Sequence, residues 1–186
     1  YSGHPLALKL VAQTVQELFG GDVASFLAVD APIFDDIRRV LDQQFVRLLP
    51  LEQELLLWLA VERVPVTAVT LRANLVAPPP MPRFLEALRA LQRRSLLEGV
   101  GNGFTLQNVL IEYLTERLVE RVCEEIADGW AADSGSQPVG ALWLNELWLN
   151  RHALLKAQAA EYIRQSQARL ILQAVGERLL ERLGKS

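Results

Sequence analysis

The chain has 186 residues, 51% of them apolar, with a slightly positive mean hydropathy, so a buried core is expected and wholesale disorder is excluded. Its formal net charge of −3 and pI near 5.5 disfavour general attraction to phosphate backbones. The single cysteine, Cys123, excludes an internal disulfide and fits a reducing, cytoplasmic setting, and two distant histidines complete no metal-ligand cluster.

Gly3-His4-Pro5 opens the first predicted helix, over residues 5–19. Pro5 suits the first helical position, where its missing N–H leaves no bond unmade. Leu8, Val11, Ala12, Val15, Leu18 and Phe19 recur at helical steps, and Gly20-Gly21 ends the pattern. Because the chain opens inside a helix start without an initiating Met, it reads as a piece of a longer protein. Asp22 is a cap for a short helix, and a third helix is predicted over 34–47, ended by Pro50.

A very apolar helix follows over 51–62, around Leu55, Leu56, Trp58 and Leu59. Val64-Pro65-Val66 is extended, and Thr67 caps a helix over 68–75. Pro78-Pro79-Pro80-Met81-Pro82 is a stiff connector. Residues 83–94 form an amphipathic helix with Phe84, Leu85, Leu88 and Leu91 inward. Ser95-Leu96-Leu97-Glu98 reads as a strand, 99–103 as a tight turn and Phe104-Thr105-Leu106 as the returning strand. A long helix spans 109–127, residues 128–140 read as a loop, and helices fill 141–172, in one or two pieces, and 174–183. Leu142, Trp143, Leu147, Trp148 and Leu154 make an apolar stripe in this last section, expected to pack on the preceding bundle or to form an interface. The fold class is mainly α: a helical bundle, then a winged helix made of helices and a β-hairpin, then a C-terminal helical section. No apolar run approaches the roughly 18–20 residues of a membrane-spanning helix.

Several stretches taken together resemble the bacterial NB-ARC group of STAND signalling NTPases. They are Tyr1-Ser2-Gly3-His4-Pro5-Leu6-Ala7-Leu8-Lys9-Leu10, Val15-Gln16-Glu17-Leu18-Phe19, Leu41-Asp42-Gln43-Gln44-Phe45, Trp58-Leu59-Ala60 and Leu91-Gln92-Arg93-Arg94-Ser95-Leu96-Leu97-Glu98. The similarity is greatest to members that end in a WD-repeat or similar array. The resemblance implies a domain order: residues 1–34 a helical domain following a P-loop core, 35–127 the winged helix, 128–140 a loop, and 141–186 a helical linker to a C-terminal repeat sensor. It implies that Gly3, Pro5 and Leu6 lie against the adenine of bound ADP or ATP, and only together with an upstream P-loop domain. The family's winged helix offers a histidine to the ADP β-phosphate, followed by an aspartate. Gln107 and Asn108 stand at those places, and glutamine offers a neutral donor without charge. The implied partners are the upstream nucleotide-binding domain, the downstream sensor, and further copies of the chain on activation.

No Gly-x-x-x-x-Gly-Lys-[Ser/Thr] occurs, so this chain alone is not expected to hydrolyse ATP. Gly99-Val100-Gly101-Asn102-Gly103 lacks the lysine of a phosphate cradle and reads as a turn. The carboxylate pairs Asp35-Asp36, Glu116/Glu120 and Glu124-Glu125 read as solvated helix faces. His4 reads as a surface residue of the first turn, and His152 has no partner nearby in sequence. Three functions remain. The leading one is the regulatory part of an ADP/ATP switch, helping to hold ADP in an autoinhibited state and controlling oligomerisation. The second is a DNA-binding winged helix using Arg83, Arg89, Arg93 and Arg94, disfavoured by the net charge and by a wing without basic residues. The third is a structural adaptor docking through Trp143 and Trp148.

Overall fold

A computed structural model describes residues 12, 15, 16, 19–28, 33–133 and 147–183. Residues 12, 15, 16 and 19 are helical, and Gly20 and Gly21 follow with φ of 58° and 93°. Few side chains other than glycine tolerate that left-handed backbone, which explains why the helix stops there. Asp22 caps α1 (Val23–Ala28), its Oδ1 accepting the Ala24 and Ser25 N–H groups at 2.9 and 3.3 Å.

Helix α2 (Ile33–Val46) crosses the expected boundary at residue 34, so the divide between the first two predicted units falls inside a helix. Pro50 does not end it. It stands in the first turn of α3 (Pro50–Glu62), where proline removes no helical bond. Glu52 supports the same turn by accepting the Leu49 N–H at 2.9 Å. Helix α3 is buried almost all round: Leu55, Leu56, Leu57, Trp58, Leu59 and Val61 all belong to the core. Such a helix forms the centre of a fold rather than one wall of it.

Arg63, in the left-handed region at φ 59°, closes α3 and turns the chain into strand β1 (Val66–Thr67). Thr67 then caps α4 (Ala68–Ala73), its Oγ1 accepting the Thr70 N–H at 3.2 Å. The Arg72 guanidinium donates twice to the Pro79 carbonyl, at 3.2 and 3.0 Å, and ties down the proline-rich connector. Helix α5 (Met81–Arg93) starts earlier than expected and buries Phe84, Ala87, Leu88 and Leu91, a spacing that draws one stripe along a helix.

The hairpin is displaced from its expected position. Ser95 is the left-handed residue that ends α5, at φ 58°, rather than the start of a strand. Strands β2 (Glu98–Val100) and β3 (Gly103–Thr105) follow. The pairing of Val100 with Gly103 leaves a loop of Gly101 and Asn102, with Gly101 at φ 56°. A two-residue loop with glycine first matches the right-handed twist of the flanking strands. The three strands form an antiparallel sheet in the order β1-β3-β2, with Val66 opposite Phe104 and Thr67 opposite Gly103.

At Gly103 the strands approach closely: a Cβ there would lie 3.0 Å from the Val66 carbonyl oxygen. Gly103→Ala is therefore expected to cost about 1–3 kcal/mol and to weaken protection of the Val66–Thr67 backbone in hydrogen exchange.

Helix α6 (Asn108–Asp133) runs beyond residue 127 and takes in the first part of the expected loop, Gly129 included. The remainder of that loop, and Trp143, lie outside the described residues. α6 packs on α3 and buries Leu110, Leu114 and Leu118 in the core, and polar side chains tie it to α2. Asp42 accepts from the Tyr113 hydroxyl and from Arg117, both at 2.6 Å, and Arg38 pairs with Glu116 at 2.7 Å. Burial first, and then the Asp42 carboxylate, push the Tyr113 hydroxyl well above its ordinary pKa, so it stays a protonated donor.

The C-terminal section is more broken than the one or two helices expected over 141–172. Helix α7 (Trp148–Arg151) is one turn, residues 152–160 are irregular, and α8 (Glu161–Gln167) follows. A π-helical segment, Ala168–Gln173, joins it to α9 (Ala174–Leu183). The described chain is thus mainly helical with one small antiparallel sheet. Among the described residues no helix is long and apolar enough to cross a membrane.

Candidate functional site

Of the residues implied to touch nucleotide, Gly3, Pro5 and Leu6 lie outside the described residues. Gln107 is described. It precedes α6, and its carbonyl accepts the Ile111 N–H at 3.0 Å. Its side chain is buried, with Nε2 donating to Glu98 Oε1 at 2.7 Å, so it fastens β2 to the start of the long helix. The Glu98 carboxylate fixes which end of the amide faces it, because carboxylate oxygens only accept. One Nε2 N–H is thus committed to the fold, and the buried Oε1 of the same amide has no hydrogen-bond partner. Asn108, the adjoining residue of interest, is the exposed first residue of α6.

The densest polar construction among the described residues lies elsewhere, where the C-terminal section meets α3, α4 and α6. Glu62, 5% exposed at the end of α3, is bonded by Lys156 Nζ and by Asn74 Nδ2, the latter at 2.6 Å. Lys156 Nζ also donates to Asn74 Oδ1 at 3.2 Å. Gln167, fully buried, donates to the Val61 carbonyl at 2.7 Å and accepts the Lys156 N–H at 2.9 Å. About two turns nearer the start of α3, Glu54 is paired with Arg151 at 2.5 Å. Glu125 of α6, 7% exposed, accepts the Trp148 and Leu149 N–H groups at 3.0 and 3.1 Å, so a side chain from another helix caps α7. Arg121 balances that carboxylate at 3.1 Å. Each buried charge in the seam meets an opposite charge or convergent donors, the condition under which buried ions persist.

His152 sits at the centre of this seam. Its ring lies 5.6 Å from Trp58 and 6.1 Å from Trp148, and Trp148 packs edge-on to Phe45 at 6.4 Å. Nδ1 lies 3.1 Å from the Trp148 carbonyl, which only accepts, so Nδ1 carries the proton and Nε2 is bare. Burial drives its pKa down to about 4, against a smaller opposing effect of that hydrogen bond. At neutral pH the imidazole is uncharged. A cleft of about 340 Å³ opens above it, walled in part by Gln53, Leu57 and Arg151.

The seam corrects two readings of the sequence. Glu125 is no solvated carboxylate, although its neighbour Glu124 is half exposed. His152 does have a partner close in sequence, the backbone of Trp148. Glu116 and Glu120 are half exposed but paired with Arg38 and Arg178. Cys123 is fully buried, and burial raises its thiol pKa, so it is protonated and packed. The side chains of Asp35 and Asp36 lie outside the described set. On the outer face of α5, Arg83, Arg89 and Arg93 are exposed, and Arg94 leans on buried Glu52 at 3.4 Å. Among the described residues no cluster of three or more His, Cys, Asp or Glu is placed to hold a metal ion.

An uncharacterized WD repeat-containing protein of Nostoc sp. (strain PCC 7120) is 44% identical to this chain over 205 residues, covering 99% of the chain and 16% of that relative. The chain thus spans about a sixth of the length of the curated relative it matches. No family model and no solved structure matches it.

Proposed function

We propose that this chain is the regulatory part of an ADP/ATP-dependent signalling switch of the STAND type, acting between an upstream P-loop domain and a downstream WD-repeat array. In this reading α3, β1, α4, α5, β2, β3 and α6 form a winged helix, with β2 and β3 as the wing. Their order and the β1-β3-β2 sheet support it. The likeness to a segment of a WD repeat-containing protein supports a neighbouring repeat array. The observation that carries the reading is the polar seam. It fixes the C-terminal section rigidly on the module, as a connector must be fixed if a sensor is to move a nucleotide lid. ADP held between Pro5 and the upstream domain, with Gln107 near phosphate, favours the closed form. Exchange for ATP releases the lid and exposes surfaces for self-association, a population shift set by differential affinity.

Calorimetry with ADP and ATP, on this chain and on one extended upstream through the P-loop domain, tests the reading. The expected result is binding only by the extended chain, weakened about tenfold by Pro5→Ala. Binding by neither chain overturns it. A second reading, contact with DNA, is favoured by the exposed arginines of α5. Duplex binding that falls steeply with salt is its signature.

A further inference from the structure

A groove of about 370 Å³ lies between α6 and the π-helical segment, away from the polar seam's cleft. Val119, Leu170 and Ala174 give it an apolar lining, and the carboxylates of Glu112 and Glu116 also border it. Beside Arg178 Nη1, which makes an ion pair but no hydrogen bond, two polar groups in its lining have no hydrogen-bond partner. Thr115 is 7% exposed, and its Oγ1 makes no hydrogen bond. A threonine inside a helix ordinarily returns its hydroxyl to the carbonyl four residues earlier, and this one does not. The other is Arg63 Nη1, a buried guanidinium nitrogen with no acceptor. The neighbouring Arg178 is committed to Glu116 and Glu120 at the rim, at 3.3 and 3.8 Å.

These features share one place. Leaving a buried donor unpaired costs about 1–3 kcal/mol, more for a charged one, so two such groups in one groove form a recognition element awaiting an acceptor. Arg63 closes α3 in the left-handed region, its backbone N–H bonded to the Leu59 carbonyl, so the end of the helix fixes its backbone. Burial lowers the Arg63 pKa, with the Arg169 charge acting the same way and the Glu112 carboxylate opposing. An added anion relieves that penalty. The opposite wall is π-helical, a widened backbone found chiefly where a helix is shaped around a function.

We infer that the groove between α6 and the π-helical segment is a binding site for a small apolar carboxylate, its carboxylate on Arg63 and Thr115 and its hydrocarbon body against Val119, Leu170 and Ala174. An apolar trough with a few convergent polar groups at one end is the usual build of such a site. The proposal is independent of nucleotide switching.

The test is titration of the 186-residue chain with sodium octanoate, followed by calorimetry and amide chemical shifts, with octylamine as the cationic counterpart. The expected result is saturable octanoate binding, with shifts centred on Thr115, Val119, Leu170 and Ala174. Thr115→Val keeps the side-chain shape and Arg63→Asn keeps a left-handed residue, and each is expected to weaken binding about tenfold. Thr115→Val removes an unpaired hydroxyl, so its melting temperature should not fall, which separates lost binding from lost folding. Absence of octanoate binding overturns the proposal. So does equal binding of octylamine, or binding that both variants leave unchanged.

Discussion

Lys156→Met is expected to destabilise the chain by about 3–5 kcal/mol, read as a lower midpoint in denaturant unfolding with an unchanged slope. Lys156 supplies the positive charge on Glu62, and Glu62 is too buried to be rescued by water. With the ammonium gone, Asn74 still donates to the carboxylate, but one neutral donor does not balance a buried charge. The diagnostic result is the double variant. Adding Glu62→Gln removes the orphaned charge and leaves an amide that accepts from Asn74 Nδ2 and donates to Asn74 Oδ1. Most of the loss is then expected to return. A single-variant cost below about 1 kcal/mol would place Lys156 among ordinary surface pairs.

The second large effect is acid sensitivity of the same seam. Folded His152 has a pKa of about 4, against 6.5 for the free side chain. A lowered histidine pKa means that the unfolded chain takes up a proton first as pH falls. The stability that the neutral ring contributes is complete above pH 6.5 and is lost as pH falls towards 4. The full difference is worth about 3 kcal/mol, of which about 2 kcal/mol is gone at pH 5. Urea unfolding at pH 7 and pH 5 measures it. His152→Phe keeps an aromatic ring between Trp58 and Trp148 and cannot be protonated, so that share of the pH dependence is expected to vanish. If the variant and the parent lose stability in parallel, the acid sensitivity belongs to other groups.

Sequence patterns reveal what local rules control and miss what distant partners control. The apolar run from Leu55 to Val61 announces a buried helix, and Phe84, Leu88 and Leu91 announce an amphipathic one, although Leu85, read with them as inward, is exposed. Asp22 and Thr67 are caps in the sequence and in the structure, because a cap depends only on the next few residues. The hairpin was legible but misplaced. A left-handed Ser95 ends α5 and moves the strands along, and serine does not advertise that conformation. Residues 152–160 are the clearest failure of pattern. His152-Ala153-Leu154-Leu155-Lys156-Ala157-Gln158-Ala159-Ala160 holds no glycine or proline and is rich in good helix formers, yet is irregular. There, Lys156 gives its backbone N–H to the side chain of Gln167 and its ammonium to Glu62. Tertiary bonds of that kind override propensity.

The candidate site divides the same way. Gln107 was visible through a motif, but its bond to Glu98 required the hairpin register. The seam was hidden, because glutamates spaced along a helix resemble a solvated face until a partner covers them. Glu62, Glu54 and Val61 find theirs 94, 97 and 106 residues further along the chain.

That separation governs how the chain matures. When α3 leaves the ribosome, the groups that will neutralise Glu54 and Glu62 have not been made. At about 5–20 residues per second they arrive roughly 5–20 s later. Through that interval the module's central helix is apolar on most of its surface and carries unpaired charges on the rest. Closing so long a loop is also the slow kind of contact to form. Residues 147–183, made after the module they fasten, therefore act as the latch on the nascent fold.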